Sequence, residues 1–318
     1  MKYIIIILII YLSIAFIKCN QEKLANNNYT NYGNIIDRMV ILYLYCEGDK
    51  EKFKKLKNKY YNEEIYSDNI FLFDFDYKFK ISLYDKIILF FLFYFYNTKL
   101  WQIKLDCKNH MYKFINFVIN NYINQNQLIN IDKNSLSETI CIHFRCSDGP
   151  FNKLCLYELV SFNFYKEAIK IALSKQKISR IIILSSTKHR GDKHNIFNKN
   201  TSKNQSLINQ QYCSKYLNEY INRLKEYVKD LNILIEIESN NVSTDLYYLK
   251  NAYCSIITAG TFGLYGAYGS NNLLILSDNL KNNNYRDNIV IIKDNIIKHK
   301  NVKDYYDMNE MKEHITKI

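Results

Sequence analysis

Six short apolar runs recur through the second half of the chain, and they restrict its fold more than any other feature. They cover residues 138–145, 180–186, 232–239, 254–260, 272–278 and 288–294. Each is short, rich in Ile and Leu, and bounded by polar turns, which predicts strands rather than helices. Helical patterns lie between several of them, at 164–175 and 212–231, while 188–206 is polar and reads as a surface loop. Strands apolar on both faces and alternating with helices predict an α/β fold, a parallel sheet with helices on both sides. In such sheets ligands bind beyond the carboxyl ends of the strands, where helices begin.

The first half reads less regularly. Residues 38–46 read as a buried strand and 69–77 as an alternating one. Residues 51–64, 82–99 and 111–125 read as helices, the first polar and the second mostly buried. Residues 124–137 are polar and form the candidate linker. The expected division is therefore 1–20 as a leader, 21–137 as an N-terminal α/β domain and 138–318 as a C-terminal domain.

The leader reads MKYIIIILIIYLSIAFIKCN. Residues 3–17 carry no charge, which suits a signal-peptide core and is short of the roughly 20 residues of an ordinary membrane span. Ile17 and Cys19 stand at −3 and −1 of a poor cleavage site, so a cleaved signal and an uncleaved signal-anchor both remain open. Either sends the remainder into the secretory lumen: secreted in the first case, a Golgi or ER type II membrane protein in the second. Eight cysteines permit disulfides there, without a C-x-x-C pair. Asn28, Asn200, Asn204 and Asn241 begin glycosylation sequons. The net charge of +12 suits nucleic acid, a membrane surface or an anionic substrate. Lysines are dispersed among acids, as in EKFKKLKNKYYNEE, with no basic arm and no zinc-finger spacing, so a nucleic-acid partner is not expected.

Two of the strand ends carry unusual residues. In CIHFRCSDGPF, alternation puts His143 and Arg145 on one face. Asp148 and the chain's only proline, Pro150, follow in a sharp turn. A guanidinium at the end of a buried strand is costly unless it meets an anion, and Arg is the preferred fork for phosphate. Asp148 can orient that Arg or meet a sugar hydroxyl. The plainer reading is a structural ion pair beside a core histidine.

The second strand end reads IITAGTFGLYGAYGS and holds Gly260, Gly263, Gly266 and Gly269, four of the eight glycines. Small residues let the backbone N–H groups of Thr261, Phe262 and Gly263 approach a ligand, and a helix N-terminus adds its dipole. Gly266 and Gly269 follow on one helical face for close packing against the sheet. The stretch is neither G-x-G-x-x-G nor a P-loop. Tight packing without a ligand is the alternative.

These residues together resemble the α-1,2-fucosyltransferases. The stretch TDLYYLKNAYCSIITAGTFGLYGAYGS is similar to that family's C-terminal motif through Asp245, Leu246, Leu249, Cys254, Thr258, Gly260, Thr261, Phe262, Gly263, Ala267 and Tyr268. IHFRCSD resembles its H-x-R-R-G-D-Y motif through His143, Arg145 and Asp148, and IIILSST its intervening strand, ending in Ser185 and Ser186. The resemblance covers residues 138–300. Cys146, Ser147 and Gly149 replace the family's second Arg, its Gly and its Tyr, and Tyr265 replaces a Trp.

The resemblance implies a GT-B fold of two Rossmann-like domains, with the acceptor on the N-terminal side and the nucleotide sugar on the C-terminal side. It implies an inverting, metal-independent glycosyltransferase that moves fucose from GDP-fucose to a hydroxyl of a glycan, without a cofactor. Arg145 and the backbone of residues 261–263 are then expected to stabilise the leaving diphosphate. Asp245 is expected to bind guanine or ribose, or to serve as a helix N-cap, and Ser186 to line the donor. Asp148 and His143 are the candidate bases. Two alternatives stay open: a GT-B transferase using another nucleotide sugar, and an inactive, glycosyltransferase-like sugar-binding or structural secreted protein.

Overall fold

The structure, a computed structural model, describes residues 32–60, 78–95, 100, 104–125, 134–146, 159–185, 203–238, 242–280, 287–293 and single positions between 307 and 315. The chain forms two compact units, Met1–Val118 and Ile119–Ile318.

The described part of the first unit is helical. It contains α1 (Tyr32–Tyr45), α2 (Lys50–Tyr60), α3 (Leu83–Phe95) and the greater part of α4 (Lys108–Gln125). The strand expected at 38–46 is instead the second half of α1. Ile36, Met39, Val40, Ile41, Leu42 and Leu44 are all buried there. A helix buried all round has no polar face, so its sequence carries no 3.6-residue period to separate it from a buried strand. The strand expected at 69–77 lies outside the described residues, and no strand occurs among the described residues of this unit. The helices expected at 51–64, 82–99 and 111–125 are present, within a turn or so, as α2, α3 and α4. Buried Asp85 organises one junction: its carboxylate accepts the Asp106 and Cys107 N–H groups at 3.2 and 2.9 Å, just before α4.

The division between the two compact units falls inside α4. The last turns of α4 belong with the second unit: the Ile119 side chain packs at Gly269, and Lys250 Nζ donates to Asn120 Oδ1.

The second unit is an α/β sheet. Its strands are β1 (Thr139–His143), β2 (Arg180–Leu184), β3 (Leu234–Glu238), β4 (Cys254–Ile257), β5 (Leu273–Ser277) and β6 (Ile289–Ile292). Each falls inside one of the six apolar runs. All pairs are parallel, and the order across the sheet is β3-β2-β1-β4-β5-β6. The connecting helices are α5 (Phe162–Leu173), α6 (Lys203–Val228), α7 (Val242–Asn251) and α8 (Thr261–Tyr268). α6 begins before the expected 212, so residues 203–206 of the presumed loop are helical; residues 188–202 lie outside the described residues.

Alternation along β1 divides the core. Ile140, Ile142, Phe144 and Cys146 join Phe164, Tyr165, Ala168 and Ile169 of α5 and Tyr216, Leu217 and Tyr220 of α6 in one apolar cluster. Cys141, His143 and Arg145 belong to the other face, with α7 and α8. There Ser255 of β4 donates its hydroxyl to the Leu249 carbonyl of α7 at 2.8 Å. No described helix is long and apolar enough to cross a membrane; residues 3–17 lie outside the described residues.

Candidate functional site

The strand order reverses between β1 and β4. The chain builds outward from β1 to β2 and β3, then crosses back to place β4 on the other side of β1. The connections after β1 and β4 therefore run to opposite faces and leave a crevice between the two strand ends. The two motifs singled out from sequence end on these two strands. β1 and β4 are in direct register, with His143 opposite Ile257.

Beyond β4 the chain turns at Gly260, whose φ of +89° is one that side chains rarely adopt. The first helical bond of α8 runs from the Leu264 N–H to the Gly260 carbonyl at 3.3 Å. The N–H groups of residues 261–263 precede it and point out of the helix start. The turn lies against β1. A Cβ built on Gly260 would be 3.8 Å from Cγ and Cδ of Arg145 and from Cε1 of His143. A Cβ on Gly263 would be 2.6 Å from Nδ1 of His143. The His143 ring also meets Phe262, centroids 5.9 Å apart and tilted by 48°. His143, Arg145, Gly260, Phe262 and Gly263 are thus brought together.

The remaining glycines have other duties. At Gly266 a Cβ would be 2.8 Å from Cδ1 of Leu249 and 3.2 Å from Cδ2 of Leu246, so this glycine lets α8 approach α7. The partner expected there was the sheet; at Gly266 it is α7. Gly269 caps α8 and adjoins Ile119 of α4, 3.3 Å from the built Cβ. Four glycines at one spacing answer four separate constraints.

His143 is held uncharged. Burial, and then the positive charge of Arg145, pull its pKa down to about 4, against a hydrogen bond from the ring to the Ala259 carbonyl. Its Nδ1 is buried and has no hydrogen-bond partner among the described residues. Asp245 lies in the first turn of α7, three residues past the first helical residue Val242, so it is not the N-cap. Its charge reaches Cys141 on β1, where burial and then this carboxylate push the thiol pKa well up.

Some expected site residues cannot be set beside these. Asp148 and Ser186 lie outside the described residues; Thr261 is described only as the first residue of α8. Ser185 is buried, and its N–H donates to the Glu238 carbonyl at 3.2 Å, extending the β2–β3 ladder. Among the described residues no group of three His, Cys, Asp or Glu could hold a metal ion.

One feature escaped the sequence reading. Cys146 is bonded to Cys213 of α6, with Cα atoms 5.7 Å apart. Cys46, Cys107, Cys141 and Cys254 are buried free thiols. The usable signal was alternation: it puts Cys146 on the face opposite Arg145, toward whichever helix covers that side.

Compared with models of protein families, with curated proteins and with solved structures, the chain matches none.

Proposed function

We propose that the second unit binds a nucleoside diphosphate sugar in the crevice between β1 and β4, and that the protein is an inverting fucosyltransferase using GDP-fucose. The observation that carries this reading is the coincidence of both motifs with the two strands that flank the order reversal. That crevice is where open parallel sheets of this order bind nucleotides. It combines a cation, Arg145, with the N–H groups at the start of α8, and both favour an anion. The fucosyl donor itself rests on the resemblance of the two motifs.

In this reaction the bond between sugar C1 and the β-phosphate oxygen breaks, and the electron pair leaves with GDP. An acceptor hydroxyl forms its bond to C1 from the opposite side and gives up its proton. Arg145 and the N–H groups of residues 261–263 neutralise the charge that grows on the β-phosphate. His143 suits the proton transfer poorly. A base of pKa about 4 gains little driving force at neutral pH. Its ring also fills the space that a Gly263 side chain would need. We assign it to positioning the turn at residues 259–263, which leaves Asp148 as the candidate base.

A second reading is nucleotide-sugar binding without transfer. The cystine at position 146 favours it, because the fucosyltransferase motif carries a second arginine there.

Thermal stabilisation of the full chain by GDP, GDP-fucose, UDP and ADP tests both, with Arg145→Ala alongside. The expected result is a shift with guanine nucleotides only, abolished in the variant, and release of fucose to a glycan acceptor. A shift with another nucleotide changes the donor. Nucleotide binding without transfer to any acceptor favours the second reading, and no shift at all rejects the site.

A further inference from the structure

β1 leaves the sheet through three consecutive residues held in three directions. The Phe144 N–H donates to the Leu184 carbonyl of β2 at 3.0 Å. Arg145 follows on the α7–α8 face. Cys146 follows on the α5–α6 face, where its sulfur is bonded to Cys213. Arg145 therefore stands between a residue hydrogen-bonded into the sheet and a residue covalently tied to a helix. The tie is well founded: Cys146 and Cys213 are 5% and 4% exposed, within the cluster of Phe144, Phe164 and Tyr216. α6 is 26 residues long, so the second anchor is an extended rigid element.

We propose that the Cys146–Cys213 disulfide is a positioning device for Arg145, fixing the backbone on its far side so that the guanidinium meets the diphosphate preorganised. The proposal rests on the reading of Arg145 as a phosphate ligand. A segment that a ligand must order on binding lowers affinity by the entropy lost. Bracketing Arg145 removes the backbone share of that loss before the ligand arrives. Where the fucosyltransferase motif carries a second arginine, this chain carries a covalent bond to the opposite side of the sheet. One well-held cation then does the work of two.

A disulfide that only stabilised the core would change melting temperature and leave the folded protein's affinity alone. The test uses the full chain and GDP as the probe. Affinity is measured by calorimetry well below every melting point for the unmutated chain, Cys146→Ala/Cys213→Ala, and Cys146→Val/Cys213→Ala, the last refilling the apolar space. Both variants are expected to bind GDP about tenfold more weakly or worse, with Val recovering melting temperature but not affinity. Unchanged affinity in either folded variant overturns the proposal. Should neither variant fold, the same titration on native protein before and after mild reduction, with the two thiols verified by alkylation and mass, decides it in the same way. Arg145→Ala separates the two readings. GDP binding lost in Arg145→Ala but kept without the disulfide overturns the positioning role alone. GDP binding indifferent to Arg145→Ala overturns the site reading and this inference with it.

Discussion

Gly263 lies directly beneath the imidazole of His143: a Cβ added to it would stand 2.6 Å from Nδ1 and 2.7 Å from Cγ. No carbon approaches that closely, so ring and helix start cannot both stay in place if residue 263 gains a side chain. Gly263→Ala is expected to cost about 1–3 kcal/mol, the usual range for overpacking a core. His143→Ala makes room. In a double-mutant cycle read by chemical denaturation, the pair is expected to be more stable than the sum of the single effects, by about 1 kcal/mol.

The same added methyl at Gly266 is a milder insult. Its nearest neighbour, at 2.8 Å, is Cδ1 of Leu249, the end of a flexible side chain. Gly266→Ala is expected to cost less than Gly263→Ala and to leave nucleotide affinity unchanged. Equal losses of affinity in the two variants would argue against a local role for the His143–Gly263 contact.

Acid should erode stability through His143. Its pKa is about 4 when folded, against an ordinary 6.5. Between those values the unfolded chain holds the extra proton, so stability falls as pH drops from about 6.5 to about 4 and this contribution changes no further below. The effect is at most about 3 kcal/mol. Other groups titrate in the same window, so the measurement is a difference. The pH dependence of unfolding for His143→Gln is expected to be flatter than that of the unmutated chain, by that amount or less.

Arg145→Lys keeps the charge and loses the planar fork. If Arg145 meets a diphosphate as proposed, the substitution is not conservative. GDP affinity measured by calorimetry is expected to fall about tenfold, between the values for the unmutated chain and Arg145→Ala. An Arg145→Lys variant as tight as the original would mean that only charge is felt at this position.

Loss of the disulfide should also appear in global stability. It closes a loop across 67 residues of sequence. In the chain-entropy account, constraining a loop of that length in the unfolded state stabilises by about 4 kcal/mol. Urea unfolding of Cys146→Ala/Cys213→Ala is expected to show a loss of about 2–4 kcal/mol.

Particular residues explain how much could be read in advance. β1, β2, β4 and β5 fall in apolar runs because a strand buried along its length needs an unbroken apolar stretch, and polar turns mark its ends; β3 and β6, at the sheet edges, are partly exposed, and in β3 Glu236 and Glu238 alternate with Ile235 and Ile237. α2 was legible because its lysines and Glu51 leave only a narrow buried stripe, Phe53 among it. α1 was not, because Met39 to Leu44 are buried on every side. The alternation that joins His143 to Arg145 was legible from a two-residue period. The same period, carried one residue further, separates Cys146 from them, but nothing in the sequence names its partner 67 residues on.

By itself, the sequence determined the elements of the second unit, the two strand ends that carry the His143–Arg145 pair and the Gly260–Gly263 turn, and which β1 residues share a face. Those are local properties, set by side-chain period and by where apolar runs stop. Only the tertiary structure decided that β1 and β4 are neighbours across the reversal of strand order. It alone matched Gly263 to His143, Gly266 to Leu246 and Leu249, and Cys146 to Cys213. These are pairings between segments far apart in the chain, and they are selected by how helices and strands close-pack, which no single segment encodes.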